Sequence, residues 1–286
     1  MLINCVIGFC KNTETWIHPL YDMGYSVSLI EETLPLSKIT GHVKPDVVVY
    51  SSKQNSAIAF DCKTGTTSNS SQLDRYRSLD KNDFRVYHRI TNLDQFIHDV
   101  CFFDLEENHE RLVPSIEGFP CITLYATFVS KSGKFAKWEL NRLFERIQIT
   151  DAMEEPHSYY PFSETDDRSV IVKEVLRTII SLLRDRKKRD LPIFARETWA
   201  NPVVLRTVHQ MYDVIGREHR GVLADKIWDI VKSFQVRYPD FAQKVREIQA
   251  SEDDSQVMIA NLMGECDEII KAEEGTPSLD AHGFRA

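Results

Sequence analysis

An α/β half followed by an all-helical half is what this sequence predicts, and three observations carry the prediction. Up to about residue 130, short runs rich in β-branched and apolar residues (VVVY, AIAF, CITLY) alternate with polar, capped stretches. Beyond that point, long segments such as SVIVKEVLRTIISLLRDRKK repeat their apolar residues at helical spacing. The 286 residues, 42% hydrophobic and 27% charged, suffice for two ordinary domains with their own cores. The expected division is residues 1–130, a helical domain over 131–272, and an unstructured tail over 273–286.

Taken in order, LINCVIGF reads as a first strand. NTETWIHPLYDMGY reads as a helix capped by Asn12 or Thr13 and ended at Gly24, with Pro19 starting or kinking it. YSVSLI is a strand, and VVVYSS and SAIAFDCK are two more joined by the polar turn SKQN. SNSSQLDRYRSLD then reads as a capped helix, FRVYHRI as a strand and NLDQFIHDVCFF as a helix. A polar stretch, DLEENHERLVPSIEGFP, leads to the strand CITLYATFV. In the second half, KFAKWELNRLFERI, NPVVLRTVHQMYDVIG, VLADKIWDIVKSF and PDFAQKVREIQ keep the helical pattern around an acidic, aromatic loop, TDAMEEPHSYYPFSETDD. Stripe residues such as Trp228, Ile230, Val231 and Phe234 belong to the core.

No apolar run approaches the ~18 to 20 residues that cross a bilayer, and MLINCVIGFC lacks the basic start of a signal peptide. The six cysteines (5, 10, 62, 101, 121 and 266) are scattered without a CxxC pair, as expected of reduced thiols in a cytoplasmic protein. The net charge of −8 argues against nucleic acid only until its distribution is seen. Residues 247–286 hold ten acids and two bases, whereas residues 168–206 hold ten bases and four acids. Phosphate binding answers to the local field, so the basic section, with Lys187 and Lys188 at its centre, is the expected contact for phosphates. The same RDRKKRD run also suits a solvated helix end.

Chemistry concentrates in KPDVVVYSSKQNSAIAFDCKTG, residues 44–65. Side chains alternate across a strand, so Asp61 and Lys63 share one face and Cys62 takes the other. If the two strands pair as a hairpin, Asp46 approaches Asp61. Two close carboxylates repel unless a cation lies between them, and a hard divalent ion such as Mg²⁺ takes oxygen ligands. Lys63 cannot ligate a metal, but it can orient a water or stabilise charge growing on a phosphate. These are the parts of metal-assisted phosphodiester hydrolysis. The plain structural readings are a strand-opening Asp46, a surface Asp61–Lys63 pair contributing ~0 to 1 kcal/mol, and a Gln72/Tyr76 face that only packs. Other chemistries lack their motifs: SKSGK misses the first glycine of a P-loop, no GxSxG occurs, and the histidines show no HExxH.

Pro45-Asp46, fourteen residues, then Asp61-Cys62-Lys63 resembles the signature of the PD-(D/E)XK nuclease superfamily. Thr64-Gly65 after the lysine, and Gln72-Leu73-Asp74-Arg75-Tyr76 as a QxxxY helix motif, resemble its RecB-like and Holliday-junction-resolvase-like branch. Glu14, ten residues before Gly24, is similar to the family's first-helix glutamate, with Glu31 or Glu32 as alternatives. The resemblance covers residues 12–90 and the order helix, three strands, helix, strand.

That resemblance implies a restriction-endonuclease-like core, a mixed central sheet flanked by helices, and an Mg²⁺- or Mn²⁺-dependent nuclease acting on DNA in preference to RNA. Asp46 and Asp61 would hold the metal with help from the Cys62 carbonyl and Glu14. Lys63 would activate water or stabilise the transition state. Gln72 would orient the lysine, metal or phosphate, and Tyr76 and Arg75 would meet the substrate. The helical domain would grip nucleic acid or a partner protein, and a homodimer is expected by analogy. The alternative is an inactive nuclease fold serving as a binding module in a larger complex.

Overall fold

The computed structural model describes all residues except 1, 14–15, 66–67, 91, 117, 150–157, 164–165, 186–187, 189, 252–255 and 275–286. The strands are β1 (Ser26–Ile30), β2 (Leu34–Pro35), β3 (His42–Val43), β4 (Val47–Ser51), β5 (Ser56–Cys62), β6 (Ile97–Leu105), β7 (Cys121–Leu124), β8 (Phe128–Ser132) and β9 (Ile147–Gln148). The helices are α1 (Leu2–Phe9), α2 (Pro19–Asp22), α3 (Ser70–Arg77), α4 (Glu106–Ser115), α5 (Trp138–Leu143), α6 (Arg168–Arg184), α7 (Arg196–Trp199), α8 (Pro202–Val208), α9 (Arg217–Arg237), α10 (Pro239–Ala250) and α11 (Gln256–Glu274). Two compact units result: residues 1–159 with 214–217, and residues 160–213 with 218–286.

The first unit is α/β. Seven strands form one mixed sheet in the order β1-β4-β5-β6-β7-β8-β9, and β2 and β3 make a separate ribbon. The β4–β5 hairpin is antiparallel, β5–β6 and β6–β7 are parallel, and β7–β8 is antiparallel again. Alternation along the central strands builds two cores. Val47, Val49, Ile58, Phe60, Cys101 and Phe103 face α1, α2 and the α5 region. Val48, Ala57, Ala59, Val100 and Phe102 face the other way, against Leu73 and Tyr76 of α3 and Leu112 of α4.

Several elements differ from the expectation. LINCVIGF is the helix α1, not a strand. It is apolar all round and seven of its eight residues are buried, so no periodicity distinguishes the two forms. The long first helix reduces to α2, which Pro19 opens, with Gly24 in the turn beyond it at φ 79°. FRVYHRI contains a short 3₁₀ turn, Asp83–Val86, because buried Asp83 accepts from the amides of Ser37 and Asp80, both at 2.7 Å. NLDQFIHDVCFF is not a helix but leads into β6, whose apolar run is continuous because both its faces are covered. The polar stretch after it forms α4, CITLYATFV splits into β7 and β8, and KFAKWELNRLFERI yields only α5 before β9. Since β8 and β9 complete the sheet, the α/β unit runs to Tyr159, past the expected boundary at 130.

The second unit is helical, as expected. α6 buries Ile171, Val175, Leu176, Ile179 and Leu183, and packs on α11 and α8. Buried Glu273 of α11 binds Arg168 (3.0 Å), Arg237 (2.7 Å) and the Tyr238 hydroxyl (3.0 Å). The expected tail lies outside the described residues from 275 onward, and Glu273 and Glu274 belong to α11. Among the described residues, no helix is long and apolar enough to cross a membrane.

Candidate active site

The β4–β5 hairpin brings the sequence-predicted acids together. Val47 pairs with Phe60, so Asp46 and Asp61 stand side by side at the next step. The Asp46 amide donates to the Phe60 carbonyl (2.9 Å), and the Asp46 Oδ2 accepts from the Cys62 amide (2.6 Å). Asp61 and Lys63 share the face toward α3. The Cys62 thiol lies on the opposite face near Cys5, so only its main chain adjoins the acids.

Asn69 caps α3 by accepting from the Ser71 amide at 2.9 Å, which sets the helix in place over that face. Leu73 and Tyr76 are buried against the sheet, and Gln72, one turn before Tyr76, reaches the acids. Lys63 Nζ lies 2.8 Å from Asp61 Oδ1 and 3.1 Å from Gln72 Oε1, while Gln72 Nε2 donates to Asp61 Oδ2 at 2.7 Å. The three side chains close a triangle. It is no surface pair: Asp61 is 5% exposed and Lys63 18%. The Lys63 ammonium also rests 5.8 Å from the centre of the Phe102 ring. The Tyr76 hydroxyl lies against Asp61 and Gln72 without a well-formed hydrogen bond to either, and burial raises its pKa.

Charge in this cluster is unbalanced. Burial, then the Asp61 and Glu31 carboxylates, push Asp46 up to about 7, against the Cys62 amide and Lys63, which favour its charged form. Glu31 is the part sequence order hides, since only the β1–β4 pairing brings it here. Its backbone is left-handed (φ 52°), its amide donates to the Asp46 carbonyl (3.0 Å), and its carboxylate pairs with Lys44 (2.9 Å). Glu32 instead accepts from the amides of Thr33 and Arg217, both at 3.2 Å. Glu14 lies outside the described residues. Asp46 and Asp61, with the Cys62 main chain beside them, offer hard oxygen donors, while the Glu31 carboxylate is held by Lys44. Burial lifts Asp46 most, and a divalent cation would offset the Asp61 and Glu31 charges that add to it; the two aspartates are of the donor type that Mg²⁺ or Mn²⁺ takes.

The remaining expected contacts are not drawn to this centre. Arg75 donates to the Ser71 carbonyl of its own helix (3.2 Å). Lys187 lies outside the described residues, and Lys188 pairs with Asp185 at 3.4 Å. Much of the basic section is neutralised internally: Arg168 by Glu273, Arg177 by Glu174, Arg196 by Asp225 and Arg206 by Asp213. In comparisons with known proteins, residues 1–160 match the MJECL32 domain. No curated protein and no solved structure matches the chain.

Proposed function

The chain belongs to the MJECL32 domain family, and for its α/β unit we propose a metal-dependent nuclease of the PD-(D/E)XK type that hydrolyses phosphodiester bonds, in DNA before RNA. The observation that carries this reading is the junction of Asp46, Asp61, Lys63 and Gln72 at the end of one hairpin under one capped helix. The element order α2, three sheet strands, α3, β6 supports it as well.

In this reading Asp46 and Asp61 hold Mg²⁺ or Mn²⁺, with the Cys62 carbonyl beside them. The ion, when bound, polarises the phosphate and lowers the pKa of a water. Lys63, held in place by its contacts with Asp61 and Gln72, presents its ammonium to the phosphate oxygens. Gln72 sets the lysine and Asp61 relative to each other. Tyr76 offers a hydroxyl proton that no well-formed bond engages. The proposed setting is the cytoplasm.

The proposal is tested by incubating the purified chain with plasmid and single-stranded DNA in Mg²⁺, Mn²⁺ or chelator. Cutting that needs the ion and is lost in Asp61→Ala supports it. One observation favours the second reading, a non-cutting binding module. Among the described residues, no three His, Cys, Asp or Glu side chains are grouped to hold a metal. Binding of DNA without cutting under every condition decides for that module.

A further inference from the structure

A second polar centre stands on the same sheet face and is unused by the proposed chemistry. Cys62 pairs with Phe103, so Lys63 and Asp104 are neighbours one step beyond, and the Lys63 amide donates to the Phe103 carbonyl (2.8 Å). Asp104 in turn pairs with Thr123. Lys63, Asp104 and Thr123 thus form a row across the ends of β5, β6 and β7, all toward the α3 side. Asp104 is fully buried and neither carboxylate oxygen has a well-formed hydrogen bond, a costly state for a structural acid. His109, on the second turn of α4, stands over it. Its Nδ1 lies 2.7 Å from Thr123 Oγ1 and 4.0 Å from Asp104 Oδ2, while its Nε2 faces Ser132 Oγ at 3.4 Å. The ring is 25% exposed.

We propose that His109, backed by Asp104 through the Thr123 hydroxyl, binds the substrate phosphate that flanks the one at Lys63, on a single DNA strand laid across the ends of β5, β6 and β7. The claim rests on the nuclease reading and gives it a direction of substrate travel. The Thr123 hydroxyl and Asp104 behind the ring fix its orientation. Two strand intervals, roughly 10 Å, separate the row's ends. That is too far for one shared phosphate and within reach of a neighbouring one. Farther along the same face, Tyr125 and Phe128 stack at 4.3 Å with Arg146 over the Phe128 ring, which extends an aromatic and basic path for the strand.

The test uses the full chain carrying Asp61→Asn, which is expected to bind DNA without cutting it, beside the unsubstituted chain in chelator. The affinity for a fluorescent single-stranded oligonucleotide is followed across a salt series, with thermal melts as the folding control. His109→Ala is expected to weaken binding about fivefold to tenfold and to flatten the log Kd against log salt slope by roughly 0.7, one phosphate's worth on a single strand. His109→Lys restores both, and Asp104→Asn weakens binding part-way. Unchanged affinity and slope in His109→Ala overturn the proposal, as does a loss that His109→Lys fails to recover. Such results with strong DNA binding intact sink this inference alone. A parent chain that binds no DNA sinks the nuclease reading with it.

Discussion

Lys63 and Asp61 meet at 2.8 Å although they stand two residues apart on one chain, and Gln72 of α3 bonds to both. Alternation along the strand end puts them on one face, and the helix makes the contact a fixed geometry rather than a mobile surface pair. In Lys63→Ala, Asp61 keeps its Gln72 donor, so the chain is expected to fold with a melting temperature near the parent's. Cleavage is expected to fall by about a hundredfold or more, carried by kcat, since the lost cation acts on developing charge. Steady-state rates with Mg²⁺ check this, and a normal kcat contradicts the role assigned to the lysine.

Gln72→Leu keeps the bulk and removes both bonds. It leaves one Asp61 oxygen and the Lys63 ammonium without their helix partner, at a cost of about 1 to 3 kcal/mol. Urea melts are expected to show that loss, and kcat to drop less than in Lys63→Ala. Equal stability and equal rate together mean the bridge orients nothing.

Gly216 is set by contact. A Cβ there would lie 2.6 Å from the Glu31 carbonyl oxygen and 3.0 Å from Glu32 Cα, because the Gly216 amide donates to the Ile30 carbonyl (2.8 Å) and Ile215 bridges to Ile30. Gly216→Ala forces backbone apart beside the left-handed Glu31, and a destabilisation of about 1 to 3 kcal/mol is expected. Because Glu31 adjoins Asp46, metal affinity is expected to fall as well. Calorimetric titration with Mn²⁺ and a thermal melt read the two effects separately, and a variant unchanged in both refutes this close approach.

His209 gives the helical unit an acid sensitivity. It is 1% exposed, neither ring nitrogen has a hydrogen-bond partner, and Tyr160 and Phe162 pack on its ring. Burial, then nearby His219, lower its pKa from 6.5 to about 3. The unfolded chain therefore takes up a proton that the folded chain refuses. Stability is unaffected above pH 6.5 and declines as pH falls from there toward 3, by ~1.4 kcal/mol per unit at most. In chemical melts at pH 7 and pH 5, His209→Phe is expected to shrink the difference between the two. An unaltered difference assigns the acid sensitivity elsewhere.

The legible parts of the fold were those with a single period or a strong turn. VVVYSS, SKQN and SAIAFDCK gave the hairpin, and SNSSQLDRYRSLD gave the capped α3. From them came Asp46, Asp61, Lys63, Gln72 and Tyr76, because strand alternation and the i, i+4 helix repeat are local rules. LINCVIGF and FIHDVCFF misled in opposite directions, since an apolar run covered on every side satisfies helix and strand alike. FRVYHRI has strand composition, but the buried Asp83 carboxylate bends it into a turn. Glu31 stood only as a substitute for Glu14, and the pairing of β1 with β4 is what brings it to Asp46. Asp104, His109 and Thr123 were illegible because two parallel strand pairings and a helix hidden in a polar stretch assemble them.

The most direct test of the central claim is the anomalous scattering of a crystal of the chain soaked in Mn²⁺. The account predicts a peak in coordination contact with carboxylate oxygens of both Asp46 and Asp61, beside the main chain of Cys62 and lost in Asp61→Asn. A saturating soak that leaves no peak between those two carboxylates, or puts the ion elsewhere, contradicts it.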